Sequence, residues 1–124
     1  MSENRPSSNL HIEQQKQGEL TIIRLKGRFR VTDFKHFNRV YQQFLDEDGK
    51  WLVLDLEEMQ VMQSSVVGSI LSTSRLLTQL GKRMAIVRPS EHILYIFELC
   101  RLTEIVPVYP TMEEAMQVIE EDLG

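Results

Sequence analysis

The chain has 124 residues, 42% hydrophobic and 26% charged, the proportions of one globular domain that buries roughly two-thirds of its unfolded surface without metals or disulfides. Fourteen Lys and Arg against eighteen Asp and Glu leave a net charge of −4, which speaks against a polyanion binder and against nucleic acid as a partner. The single Cys100 allows no intramolecular disulfide and, with three scattered His, no cysteine-rich metal site.

A reducing, cytoplasmic setting is the expectation that cysteine usage supports. No apolar run approaches the ~20 residues of a membrane span, and the N-terminus lacks the apolar core of about 7–15 residues that a secretory signal needs. Direct membrane insertion is therefore not expected. Residues 1–9 are polar, hold Pro6, and read as a disordered tail; residues 10–124 read as a single domain.

In chain order, residues 11–17 suit a half-exposed strand, and Gln17-Gly18-Glu19 a turn into a second strand. From Ile23 the alternation puts Ile23, Leu25, Phe29 and Val31 on one side and Arg24, Lys26, Arg28 and Arg30 on the other, a basic stripe. Thr32 offers a helix cap, and Phe34, Phe37, Tyr41 and Phe44 recur at the three- and four-residue spacing of an amphipathic helix that stops at Asp48-Gly49. Residues 51–56 form an almost continuous apolar run, the mark of a strand covered on both faces.

A loop is expected over 57–63, then a helix from Ser64 to about Leu80 with Gly81 as its stop. Residues 82–87 return as a strand, and Pro89-Ser90-Glu91 opens a third helix bearing Ile93, Ile96, Phe97 and Cys100 on its apolar side. Residues 106–108 suit a short strand that Pro110 ends. Thr111-Met112-Glu113-Glu114 has the spacing of a capping box and starts a last helix whose Met112, Ala115, Met116 and Ile119 face the core. Strands and helices alternating over short connections imply an α/β fold bordering on α+β. Its sheet is mixed but mostly parallel, with about five strands and about four helices.

Catalytic motifs are missing: no Gly-rich phosphate loop, nucleophile elbow, His-Glu-x-x-His or Cys-x-x-Cys occurs. His11, His36 and His92 fall on three different elements and read as solvated or packed side chains. Asp55, with Glu57 and Glu58 after it, could in principle bind a metal, but solvated loop carboxylates are the plainer reading and no further ligand set stands out. Cys100 reads as a small buried hydrophobe. Ser64 as an enzymatic nucleophile would need a positioned base, and no candidate is recognisable. The chain is thus expected to be a non-enzyme without cofactors or metal.

The stretch 54–71, with the helix opening Gln63-Ser64-Ser65-Val66-Val67-Gly68, resembles the STAS family, whose best-known members are bacterial anti-sigma factor antagonists. The likeness includes the apolar strand over 52–56 and the later Gly81-Lys82-Arg83 strand that closes on Pro89-Ser90, and it extends over about residues 10–122. In that family a hydroxyl opening this helix is phosphorylated by the cognate anti-sigma factor, a serine kinase. The resemblance therefore implies Ser64 as phosphoacceptor, with Arg28, Arg30, Gln63, Ser65, Val66 and Val67 around it as partner-binding residues. The bland reading of Ser64-Ser65 is a helix cap and its neighbour, and that of the basic stripe a solvated strand face.

Physics supports the placement independently of the name, since free N–H groups and the positive dipole end of a helix start favour an oxygen and later a phosphate. Three positions depart from the family pattern. Gln63 replaces Asp, Val66 replaces Gly, and Arg30 ends a Gly27-Arg28-Phe29-Arg30 stretch where Asp is usual. The resemblance implies a phosphoprotein of bacterial signal transduction and transcription regulation that sequesters an anti-sigma factor with serine kinase activity, as a monomer or homodimer. The departures motivate the alternative, a non-phosphorylated STAS subunit of a larger complex such as a lipid-transport ABC system or a stress-signalling scaffold.

Overall fold

The computed structural model describes residues 10–124, and among them are six strands and four α-helices. The expected tail at 1–9 lies outside the described residues. Strands β1 (Leu10–Gln17) and β2 (Leu20–Phe29) form an antiparallel hairpin. It turns at Gly18, whose φ of +61° glycine adopts without a Cβ clash. Helix α1 (Phe34–Leu45), strands β3 (Trp51–Asp55) and β4 (Met59–Met62), and helix α2 (Ser64–Gln79) follow. Strand β5 (Arg83–Val87), helix α3 (Glu91–Leu99), strand β6 (Val108–Tyr109) and helix α4 (Met112–Leu123) complete the order.

The sheet runs β1-β2-β3-β5-β6 and is parallel everywhere except between β1 and β2, as the alternation of strands and helices implies. The addition is β4, which falls in the stretch expected as a loop. It pairs in parallel with the second half of β2, past the end of β3, setting Gly27 opposite Met59 and Phe29 opposite Met62. Only its two Met ends are buried, so it lacks the period-two pattern by which a strand is recognised.

Every residue of β3 is buried. Leu52 and Leu54 enter the larger core, where Phe37, Tyr41 and Phe44 of α1, Val67 and Ile70 of α2, and Phe97 of α3 meet them. Trp51 and Val53 enter a smaller core on the opposite face, closed by Ala115 and Ile119 of α4. Three helices therefore cover one face of the sheet and one helix the other. Each fully buried aliphatic or aromatic side chain contributes about 1.5–3 kcal/mol, against about 0–1 for an exposed ion pair such as Lys16 with Glu47.

Side-chain oxygens cap the starts of α3 and α4 but not those of α1 and α2. Ser90 accepts the Ile93 N–H at 3.2 Å, and Thr111 accepts the Glu114 N–H at 3.1 Å. Glu114 completes only half of the box, since its carboxylate accepts from the Thr111 hydroxyl instead of returning to the backbone. Thr32 caps nothing. A 3-10 turn (Val31–Asp33) precedes α1, and the buried Asp33 carboxylate accepts the Arg30 N–H at 2.9 Å. Val31, expected on the inner side, is 55% exposed because β2 stops before it. Cys100 is likewise exposed, since α3 ends at Leu99 and the chain turns away through Arg101 at a φ of +61°.

Gly49, just before β3, has the edge of the buried Phe44 ring 2.8 Å from where a Cβ would stand. Gly49→Ala should therefore destabilise the protein by about 1–3 kcal/mol through overpacking. Urea denaturation with an unchanged m-value checks this.

Candidate functional site

Helix α2 is preceded by Gln63 in extended backbone, and Ser64 is its first residue. Gln63 joins this helix start to the end of β2 twice. Its N–H donates to the Phe29 carbonyl at 3.0 Å, and its side-chain Oε1 accepts the Val31 N–H at 2.9 Å. The cap position thus belongs to Gln63, not to Ser64. Ser64 and Ser65 are exposed, and neither hydroxyl has a hydrogen-bond partner among the described residues. Their N–H groups are also without acceptors there, as the first turn of a helix dictates.

Val66 and Val67, expected at a partner face, are 1% exposed each and pack into the larger core. A docking surface cannot include them. In their place stand two apolar residues that the sequence did not single out for this role. Val31, bonded to Gln63, is 55% exposed, and Val61, which lies opposite Arg28 in the β2–β4 ladder, is 40% exposed.

The basic stripe is mostly neutralised. The Arg24 Nε lies 3.4 Å from Asp55, Lys26 lies 3.0 Å from Glu13 and 3.4 Å from Glu58, and the Arg30 Nε lies 3.4 Å from Asp33. The hydrogen bond to Glu13 holds the Lys26 ammonium above its usual range. Arg28 differs, being exposed and in no ion pair among the described residues. An unopposed guanidinium and two exposed valines therefore occupy the β2–β4 edge that leads into Ser64.

Asp55, at the end of β3, is 2% exposed. Arg88 grips it with a two-pronged contact, Nη2 at 2.6 Å and Nε at 3.3 Å, while one of its oxygens also accepts the Glu57 N–H at 3.1 Å. The bond to Asp55 raises the Arg88 pKa further. A carboxylate held by two arginines and a backbone donor has its lone pairs committed, so these contacts do not form a metal centre, and no group of three His, Cys, Asp or Glu suited to one occurs among the described residues. Arg88 sits at a φ of +57°, left-handed backbone that costs a non-glycine residue about 1–2 kcal/mol. No sequence pattern marks it, and the proline that follows it favours extended backbone instead. His11, His36 and His92 are exposed on β1, α1 and α3.

The family profile described as STAS domain matches residues 11–115. The anti-sigma F factor antagonist of Paenibacillus polymyxa is 27% identical over 117 residues, which span 90% of this chain and 97% of that protein. An anti-sigma factor antagonist from Mycobacterium paratuberculosis superposes with a TM-score of 0.81 at 14% identity, covering 90% of this chain and 94% of that one. The phosphorylated form of SpoIIAA, a Bacillus cell-fate determinant, gives 0.69 at 21% identity, covering 88% and 99%. At such identities the structural likeness establishes the fold.

Removing Arg88 leaves a buried carboxylate with a single guanidinium 3.4 Å away. Arg88→Gly relieves the backbone strain but should still lower stability by about 2 kcal/mol, because an under-compensated buried charge costs more than the strain does. Arg88→Lys, which keeps the charge without the fork, should fall between. Denaturation midpoints of the three proteins check the order.

Proposed function

The chain belongs to the STAS domain family, and on that premise we propose that it is an anti-sigma factor antagonist, a regulatory protein rather than an enzyme. It sequesters an anti-sigma factor and is switched by phosphorylation of Ser64. The observation that carries the reading is the state of Ser64, exposed at the first residue of a 16-residue helix with its hydroxyl uncommitted. The anti-sigma factor antagonist role of the Paenibacillus and Mycobacterium relatives, and the existence of a phosphorylated SpoIIAA, support it.

The docking surface is built from Arg28, Val31, Val61, Gln63, Ser64 and Ser65, with Arg30 beside them latched to Asp33. Its exposed valines favour an apolar contact, and Arg28 favours an acidic group beside it. The anti-sigma factor, acting as a serine kinase, transfers the terminal phosphoryl of ATP to the Ser64 Oγ. That adds about −1.5 to −2 charges to the contact. The free N–H groups of the α2 start stabilise the phosphate without any rearrangement of the fold. An acidic or apolar partner surface is then repelled, or is desolvated against a fixed anion, and the complex dissociates.

One observation favours the second reading, a non-phosphorylated STAS subunit of a larger complex. Gln63 stands where an acidic residue is usual in the family, and its carboxamide is spent on the Val31 N–H. The two readings divide on Ser64. Incubation with a serine kinase encoded beside this protein, with ATP and peptide mapping by mass spectrometry, should place phosphate on Ser64. Ser64→Glu should weaken binding of that kinase about tenfold or more, and Ser64→Ala should bind it like wild type but accept no phosphate. A wild-type protein that neither binds nor is modified removes the antagonist reading. If Ser64→Glu leaves assembly intact in a recovered complex while Arg28→Glu weakens it, the subunit reading takes its place.

A further inference from the structure

Strand β5 bonds to β3 through its odd residues. The Arg83 N–H donates to the Lys50 carbonyl at 2.9 Å, and the Val87 carbonyl accepts the Leu56 N–H at 3.0 Å. Its even residues therefore face the β6 edge, where the Ile86 N–H meets the Pro107 carbonyl and the Arg88 N–H meets the Tyr109 carbonyl, both at 3.0 Å. The parallel register that pairs Ile86 with Val108, continued one step toward the start of β5, would bring the Met84 N–H to the carbonyl of Ile105 and the Met84 carbonyl to the N–H of residue 107.

Residue 107 is proline and has no N–H to give. No bond from the Met84 N–H to Ile105 or to any other acceptor forms among the described residues. Yet Met84 is only 4% exposed. A buried strand position thus keeps both backbone groups unpaired just before the short β5–β6 ladder begins, a situation folded proteins rarely leave standing.

The edge borders a cavity of about 290 Å³ between α2 and α4, walled by Trp51, Ile105, Pro107, Tyr109 and Val118, with Thr78 and Arg83 also lining it. A second unpaired polar group lines it. Ser74 is 5% exposed, and its hydroxyl has no partner among the described residues. Its neighbours on the same helix differ, since Ser72, Thr73 and Thr78 each donate to the carbonyl four residues back.

A donor and an acceptor on one strand residue, a hydroxyl beside them and an apolar side formed by Ile105, Pro107 and Val118 are together the complement of an extended peptide unit with an aliphatic side chain. We propose that this cavity binds an extended segment of a partner protein, whose backbone pairs with Met84 and whose aliphatic side chain lies between Ile105 and Val118. The Ser74 hydroxyl bonds the same peptide unit. The Lys82 N–H is already committed to the Leu77 carbonyl at 2.8 Å, so the added ladder cannot run further, and recognition is confined to about one residue of the ligand. Ser74 lies ten residues beyond Ser64, about 15 Å along α2, so the site is separate from the phosphorylation surface and stands whether or not that reading holds.

The test uses the full chain labelled with ¹⁵N and the capped residue N-acetyl-leucine methylamide as probe. Saturable shifts of the Met84, Ser74, Ile105 and Val118 amides are expected, with Ser64 unmoved. Ser74→Ala should weaken binding about three- to tenfold, the loss of one hydrogen bond. Val118→Asp, an exposed rim change that leaves the core intact, should abolish it, and N-acetylglycine methylamide should bind more weakly than the leucine probe. In the free protein the Met84 amide should exchange with solvent much faster than that of Ile86. Equal protection of the two amides, or shifts that stay linear in probe, would overturn the proposal. So would shifts of the same residues on concentrating the protein alone, which would make a second copy the occupant.

Discussion

Everything in this fold follows from a strand that has no polar face. Trp51 to Asp55 are all buried, and such a strand is stable only if both faces of its sheet are covered. The aromatic face of α1 and the apolar faces of α2 and α3 cover one, and α4 the other. The same constraint creates the strongest electrostatic demand in the molecule. The strand ends in a carboxylate that is 2% exposed, and a charge that deep must be compensated. Arg88 meets the demand from the end of the neighbouring strand, at the cost of a left-handed backbone just before a proline.

The proposed surface switch at Ser64 rests on rigid support from that sheet. Ser64, the proposed phosphoacceptor, does not sit on a loop. It begins a helix whose first turn buries Val66 and Val67 and whose preceding residue is bonded twice to the end of β2. A charge added there alters the surface potential and leaves the core untouched, so binding and folding are uncoupled. The neutralisation of Arg24, Lys26 and Arg30 by neighbouring carboxylates leaves Arg28 as the unopposed cation beside the proposed switch.

Unpaired polar groups are distributed unevenly over the protein. Strand and helix ends are mostly answered by side chains such as Asp33, Ser90 and Thr111. Another exception besides the α2 start is the β5 edge, where Pro107, just before β6, has no N–H for the Met84 carbonyl, the Met84 N–H is also unpaired, and the Ser74 hydroxyl in the same cavity has no partner among the described residues. The imino nitrogen of Pro107 thus leaves the Met84 carbonyl available for the recognition proposed above.

Several of these features were legible in the residues alone. The hairpin, the aromatic stripe Phe37-Tyr41-Phe44, the doubly covered strand at 51–55 and the caps at Ser90 and Thr111 all follow from local spacing, because a helix or strand that buries one face must repeat its apolar residues at its own period. The helix opening at Ser64 was legible through its resemblance to the STAS pattern. The strand β4 was not, since four residues with only their ends buried carry no period. Nor were the inward orientation of Val66 and Val67, the Asp33 carboxylate bonded to the Arg30 N–H, the exposure of Cys100, or the grip of Arg88 on Asp55. Each of these is decided by which distant segment comes to lie alongside, and contacts between residues such as Asp55 and Arg88, or Val31 and Gln63, about thirty positions apart, leave no trace in the spacing of either one. Local periodicity is a property of one element, and charge pairing and burial at its ends are properties of two.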